Sequence, residues 1–167
     1  GTTNTLNGVT YGNGTFVVVS SDYILTSSDG TSWTSRTSGT IYGLYKVTYG
    51  NGTFVVVGQT GVILTSSDGT SWTSRSSGTT NTLVGVTYGN GTFVTVGDTG
   101  TIVTSLDGTT WTSRSSGTTN TLKGVTYGNG TFVAVGTNGT ILTSSDGTTW
   151  TSRTSGTSYP LYGVTYG

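Results

Sequence analysis

The run Val-Thr-Tyr-Gly occurs five times in this chain, at Val9–Gly12, Val47–Gly50, Val86–Gly89, Val125–Gly128 and Val164–Gly167, with starts 38, 39, 39 and 39 residues apart. Asn-Gly-Thr-Phe follows the first four copies. Trp33, Trp72, Trp111 and Trp150 stand 39 apart, each followed three residues later by Arg36, Arg75, Arg114 or Arg153. A fixed period of this length is the mark of an array in which one supersecondary unit stacks on copies of itself. The chain therefore reads as one repeat domain, 1–167, with repeats at 1–39, 40–78, 79–117 and 118–156 and a partial fifth at 157–167. The one-residue shortening falls in Ser20 to Tyr23, where later repeats carry Gly58–Gly61, Gly97–Gly100 and Gly136–Gly139, so that position is expected to be a loop.

The unit is expected to be all β. In the fourth repeat Gly128-Asn129-Gly130-Thr131 supplies the two positive φ angles of a type I′ turn, predicting a tight hairpin that pairs Tyr127 with Phe132. The same count pairs Tyr11 with Phe16, Tyr49 with Phe54 and Tyr88 with Phe93. Such cross-strand aromatic pairs contribute about 0.2–1 kcal/mol each. Phe132-Val133-Ala134-Val135 is apolar on both faces, as for a strand covered on both sides. Ile141-Leu142-Thr143-Ser144 follows the Gly-rich loop, and a two-residue turn at Asp146-Gly147 is expected to return the chain through Thr148 to Thr151. Four short antiparallel strands in about 39 residues is the arithmetic of a β-propeller-like blade, which needs neighbours to bury its faces.

Composition narrows the function. There is no His, Cys or Met, and six Asp are the only carboxylate side chains, so a metabolic enzyme is not expected. Thiolate metal sites and disulfides are excluded, and no cofactor or metal site is expected. Charged residues are 7% of the chain and six positive charges balance six negative ones, which disfavours a nucleic-acid partner. No apolar run of about 18 residues is present, so no membrane span is expected. The Thr-, Ser-, Gly- and Asn-rich composition fits an extracellular or cell-surface protein, and the start at Gly1 rather than Met suggests a processed or trimmed product.

The segments Ser27-Ser28-Asp29-Gly30-Thr31-Ser32-Trp33, Ser66–Trp72, Ser105–Trp111 and Ser144–Trp150 resemble the Asp-box, or BNR, repeat of sialidase-like β-propellers. That family's usual pattern has one more residue between Asp and Gly. The resemblance implies that Asp29, Asp68, Asp107 and Asp146 accept hydrogen bonds within the turn, and that Trp33, Trp72, Trp111 and Trp150 pack between blades. Sialidases add an arginine cluster, a tyrosine paired with glutamate and a further acidic residue. Glutamate is absent here, and the four arginines would be spread around a ring, so catalysis is not implied.

Asn13, Asn51, Asn90, Asn129 and Asn138 fit the N-glycosylation pattern Asn-x-Thr, although Asn-Gly is also what a tight turn needs. The Gly-rich loops, such as Gly97-Asp98-Thr99-Gly100, lack the helix of a phosphate loop and the carboxylate spacing of a calcium loop. The repeats differ chiefly at Ile41–Lys46, Thr80–Val84, Thr119–Lys123 and Thr157–Tyr162, where a specific binding face would lie. Gly163-Val164-Thr165-Tyr166-Gly167 is one strand more than four blades use, a candidate inter-subunit strand. Self-association into a filament or surface assembly is the leading expectation. The alternatives are a lectin-like propeller that binds glycans, and a fragment of a longer array or an engineered or recently duplicated scaffold.

Overall fold

Asn-Gly turns set the frame of the molecule. In the computed structural model, which describes residues 3–21 and 23–167, Asn129 and Gly130 have φ of 45° and 73°, and Asn13, Asn51 and Asn90 repeat the first value within a degree. These left-handed residues lock the expected hairpins: Tyr11 pairs with Phe16, Tyr49 with Phe54, Tyr88 with Phe93 and Tyr127 with Phe132. The paired rings stand 4.6 Å apart, tilted by 50–52°.

Each repeat forms one four-stranded antiparallel sheet in sequence order, so the fold is all β and propeller-like. Blade 1 holds β1 (Leu6–Gly12), β2 (Thr15–Ser20), β3 (Ile24–Ser27) and β4 (Thr34–Arg36). Blade 2 holds β5 (Leu44–Gly50), β6 (Thr53–Gly58), β7 (Ile63–Ser66) and β8 (Thr73–Arg75). Blade 3 holds β9 (Leu83–Gly89), β10 (Thr92–Gly97), β11 (Ile102–Ser105) and β12 (Thr112–Arg114). Blade 4 holds β13 (Leu122–Gly128), β14 (Thr131–Gly136), β15 (Ile141–Ser144) and β16 (Thr151–Arg153). Neighbouring blades touch mainly through β1, β5, β9 and β13, which makes these the hub strands.

One sequence expectation is corrected. Asp146-Gly147 is not a two-residue turn and Thr148 does not begin a strand, because six residues, 145–150, separate β15 from β16. The Asp146 carboxylate accepts the backbone N–H groups of Thr148 and Thr149 at 2.8 and 2.9 Å, so those donors serve the loop instead of the ladder. The other blades repeat the correction, with last strands starting at Thr34, Thr73 and Thr112. The shortened Ser20–Tyr23 position is a loop, closed by Ser20 N–H on the Tyr23 carbonyl at 3.0 Å; Asp22 lies outside the described residues.

The core lies between blades. Val17 and Val19 of β2 pack against Val47, Phe54 and Val56 of blade 2. Val55 and Val57 leave the opposite face of β6 and pack against Val86 and Phe93, and Val94 and Val96 repeat this against Phe132 and Ala134. Alternation along one strand thus feeds two cores, which is why the second strand of each blade is apolar throughout. The face of blade 1 without a blade against it is open: Val9 is 61% exposed, while its equivalents Val47 and Val86 are buried.

At the hub a ring from each blade closes over a glycine of the blade before it. A Cβ on Gly12, Gly50, Gly89 or Gly128 would lie 2.1 Å from the ring of Tyr49, Tyr88, Tyr127 or Tyr166 respectively. Only a missing side chain permits that approach. Gly50→Ala is therefore expected to lower the unfolding free energy by about 1–3 kcal/mol through overpacking, and Gly128→Ala by less, because Tyr166 is 61% exposed and can move away. Urea melts of the two variants check this order. In the core between blades 2 and 3 the Thr95 hydroxyl is buried without a hydrogen-bond partner, at the position of Val18, Val56 and Ala134. Thr95→Val should raise stability by about 1 kcal/mol in the same assay.

Candidate functional site

The hub strands run from the interblade connectors up to the Asn-Gly hairpins, so each blade has two ends. One rim carries the hairpins and the Asp-box loops. The other carries the connectors and the turns between second and third strands.

The hairpin rim is closed by its own hydrogen bonds. In blade 1 the Ser27 hydroxyl donates to Asp29 Oδ1 at 2.9 Å, and that oxygen also accepts the N–H groups of Thr31 and Ser32 at 2.8 and 2.9 Å. Gly30 N–H donates to Ser27 Oγ at 2.8 Å, and the Trp33 indole N–H donates to the Gly30 carbonyl at 3.2 Å. Asp68, Asp107 and Asp146 make the same bonds to Oδ1. The Thr70, Thr109 and Thr148 hydroxyls add a bond to the second carboxylate oxygen of these three. Trp72, Trp111 and Trp150 pack at the edge of the interblade cores, 6.4 Å ring to ring from Phe54, Phe93 and Phe132, while Trp33 is 40% exposed.

All four carboxylates are held well below the usual carboxylate range. The cause at Asp29 is chiefly the backbone donors of Ser32 and Thr31; at Asp68, Asp107 and Asp146 it is first the Thr hydroxyl two residues on, then the backbone donors. A cleft of about 400 Å³ between blades 3 and 4 is lined by two of them, Asp107 and Asp146, together with Arg114, its hydrogen-bond partner Thr104, and Leu106, which is 71% exposed. Both carboxylates are held ionised, so neither has a proton to donate near neutral pH.

The connector rim is open. Four grooves, of about 810, 680, 600 and 430 Å³, lie along it, and each contains one arginine: Arg114, Arg75, Arg153 and Arg36 respectively. Each arginine ends the outermost strand of its blade and donates through Nε to a Thr hydroxyl of the neighbouring strand, Thr26, Thr65, Thr104 or Thr143, at 2.8–2.9 Å. The walls are Ser and Thr hydroxyls with the amides of Asn81 and Asn120. Those amides brace the connectors: Asn81 donates to the Thr99 and Thr101 hydroxyls at 2.6 and 2.8 Å, and Asn120 to Thr140 at 2.9 Å.

The remaining sequence candidates divide between the rims. Asn13, Asn51, Asn90 and Asn129 are exposed at the hairpin tips, whereas Asn138 is on the connector rim and donates to Asn120 Oδ1 at 2.9 Å. Gly163 to Gly167 forms no strand ladder; it lies along β13, with Gly163 close to where a Cβ on Gly124 would stand and the Tyr166 ring over Gly128. A feature without sequence signature is a β-bulge near the start of every hub strand, at Asn7, Tyr45, Val84 and Lys123, four different residues at one equivalent position. Among the described residues no group of three metal-ligating side chains occurs, and no helix is long and apolar enough to cross a membrane.

The Asp-box geometry predicts a pH response. Its carboxylates have folded pKa values below the unfolded value of about 3.9, so their stabilisation is complete above about pH 5 and is lost as pH falls from there through the folded values. The urea midpoint is expected to be flat between about pH 7 and 5 and to decline below about pH 4. Asp68→Asn should lower the midpoint at neutral pH and make the acid decline shallower.

No protein-family model and no curated protein matches this sequence. Solved structures do. The chain is similar to YCF48 bound to D1 peptide, with 20% identity, 98% of this chain and 58% of that chain covered and a TM-score of 0.75. A chain of the nidogen/laminin complex structure gives 16% identity, 98% and 70% coverage and a TM-score of 0.76. The GH74 enzyme of Niastella koreensis gives 22%, 87% and 24%, with a TM-score of 0.60. The chain thus spans under three fifths of the YCF48 chain and a quarter of the hydrolase. At these identities the likeness is one of fold, and the architecture it shows is that of the β-propellers.

Proposed function

We propose that this chain is a non-catalytic, protein-binding propeller-like domain that takes an extended peptide segment of its partner along the connector rim. The observation that carries the reading is the row of four open, hydroxyl- and amide-lined grooves that border the connectors between blades. Such walls match the alternating donors and acceptors of an extended backbone. The solved structures with a D1 peptide and with laminin are of propellers of this shape in contact with polypeptide, which supports a polypeptide partner here too. The ionised, turn-bound Asp residues support a role without chemistry, and the Thr- and Ser-rich surface supports a location outside the cell.

A second reading, self-association through strand and blade ends, has its own observation. Leu6, Val9 and Tyr11 are exposed on blade 1 at positions that other blades cover, and a further copy of the repeat would fit that face. Sedimentation velocity over about a hundredfold range of concentration decides it: mass that grows with concentration supports assembly, and constant mass removes it. For the peptide reading, peptides are selected on the immobilised chain from a displayed library. Replacing 79–82 and 118–121 by Gly-Ser segments should then weaken the selected peptides about tenfold or more. Unchanged affinity would place binding elsewhere and overturn the assignment to this rim.

A further inference from the structure

Two faces of this chain are halves of one core. The core between blades 1 and 2 is built from eight buried side chains: Val17, Val19 and Ile24 on the face that blade 1 turns forward, and Leu44, Val47, Phe54, Val56 and Leu64 on the face that blade 2 turns back. On blade 4 the equivalents of the first three are Val133, Val135 and Ile141, and on blade 1 the equivalents of the other five are Leu6, Val9, Phe16, Val18 and Leu25. The residue types are the same at all eight positions. Their burial is not: Leu6 is 49% and Val9 61% exposed, and Phe16, Leu25, Val133 and Ile141 are half-buried. Two apolar faces that match each other as an interior interface does are the mark of a contact still to be made.

The half on blade 4 is partly covered from within the chain. Leu161, Val164 and Tyr166 stand at the positions of Leu6, Val9 and Tyr11, and Gly163–Gly167 repeats the sequence of Gly8–Gly12. The Tyr166 ring sits over Gly128 as Tyr49 sits over Gly12. The hold is slight. Among the described residues the last hydrogen bond of this segment runs from Leu161 N–H to the Gly136 carbonyl at 2.9 Å, 162–167 form none, and Tyr166 is 61% exposed. Nothing in the segment stands for Phe16, Val18 or Leu25, so Val133 and Ile141 keep contact with solvent. Tyr11, by contrast, is already set against Phe16 at 4.6 Å on the face of a whole blade.

Resting on the self-association reading above, we infer that the partner at these faces is a second copy of this chain, docked head to tail. Its blade 1 takes the place of 163–167 on blade 4, sets Tyr11 over Gly128 and completes the eight-residue core. The 163–167 segment is a replaceable cap that competes with the incoming copy for one seat. Because the two faces differ, each added copy offers a free face to the next, and addition continues until the blades close a ring.

The test is sedimentation velocity on the whole chain over about a hundredfold range of concentration, where mass should grow in steps of one copy. Tyr166→Ser loosens the cap and should bring assembly on at about tenfold lower concentration. Val9→Lys places a charge in the new core from one side. Gly128→Ala fills the seat from the other, where Tyr11, held by Phe16, cannot step aside as Tyr166 can. Each of these two should remain a single copy alone, and the two mixed should form a one-to-one complex, since each keeps the face that the other lacks. Thermal melts confirm folding; Leu6→Lys serves if Val9→Lys is unfolded, and Val133→Lys if Gly128→Ala is. Growth to a fixed mass and growth without limit both support the docking, as a ring that closes and one that does not. Assembly that ignores Tyr166→Ser, persists in Val9→Lys, or is blocked in both variants without recovery on mixing overturns it, and leaves self-association through another surface standing. A mass of one copy at every concentration, in the unaltered chain and in Tyr166→Ser, overturns both and leaves these faces to a partner of another kind.

Discussion

The contact between a tyrosine ring and the glycine of the preceding blade sets the spacing on which the rest of the molecule depends. Tyr49, Tyr88, Tyr127 and Tyr166 each occupy the space a Cβ would need on the blade before. The ring is also the cross-strand partner of a phenylalanine for the first three, and that phenylalanine faces the tryptophan of the Asp-box loop. One side chain thus ties the hub of one blade, the first hairpin of the next and the loop at its edge. A change in hub spacing would move all three together, which is the cooperative behaviour expected of close-packed interiors.

Because each blade touches only its neighbours, stability is distributed over interfaces. Val55 and Val57 face one core and Phe54 and Val56 the other, so β6 cannot leave without opening both. β2 has only one such core, and Val9 on the far side of its blade stands in solvent. Amide exchange would be slowest in blades 2 and 3 and faster at either end, a gradient set by position in the array and not by local sequence, which scarcely varies.

The architecture was legible because its signals are local. Asn-Gly fixes a turn, the turn fixes a register, and the register puts Tyr127 beside Phe132 before any tertiary contact is considered. The Asp-box loop was misjudged because Asp-Gly has the same appearance in a two-residue hairpin; what decides is the Ser two residues earlier and the backbone donors after it, which draw Asp146 into a wider loop. The bulges were invisible, since Asn7, Tyr45, Val84 and Lys123 have nothing in common but position. The connectors stood out by their variation, but the grooves beside them did not. Seeing those requires knowing that the Trp-x-x-Arg spacing carries the chain from one rim toward the other, so that Arg75 ends far along the blade from Asp68.

Repetition of one groove in every blade bears on how binding would scale. A partner segment held in a single groove would dissociate quickly, with only a few hydroxyls and amides to hold it. A segment that spans two neighbouring grooves meets the second at an effective concentration fixed by a rigid interface and not by a flexible linker, because β9 and β13 are packed together at the hub. Residence time would then rise multiplicatively with the number of blades engaged. Valency, more than the strength of any one pocket, is the quantity that such an array can adjust by adding or removing a repeat.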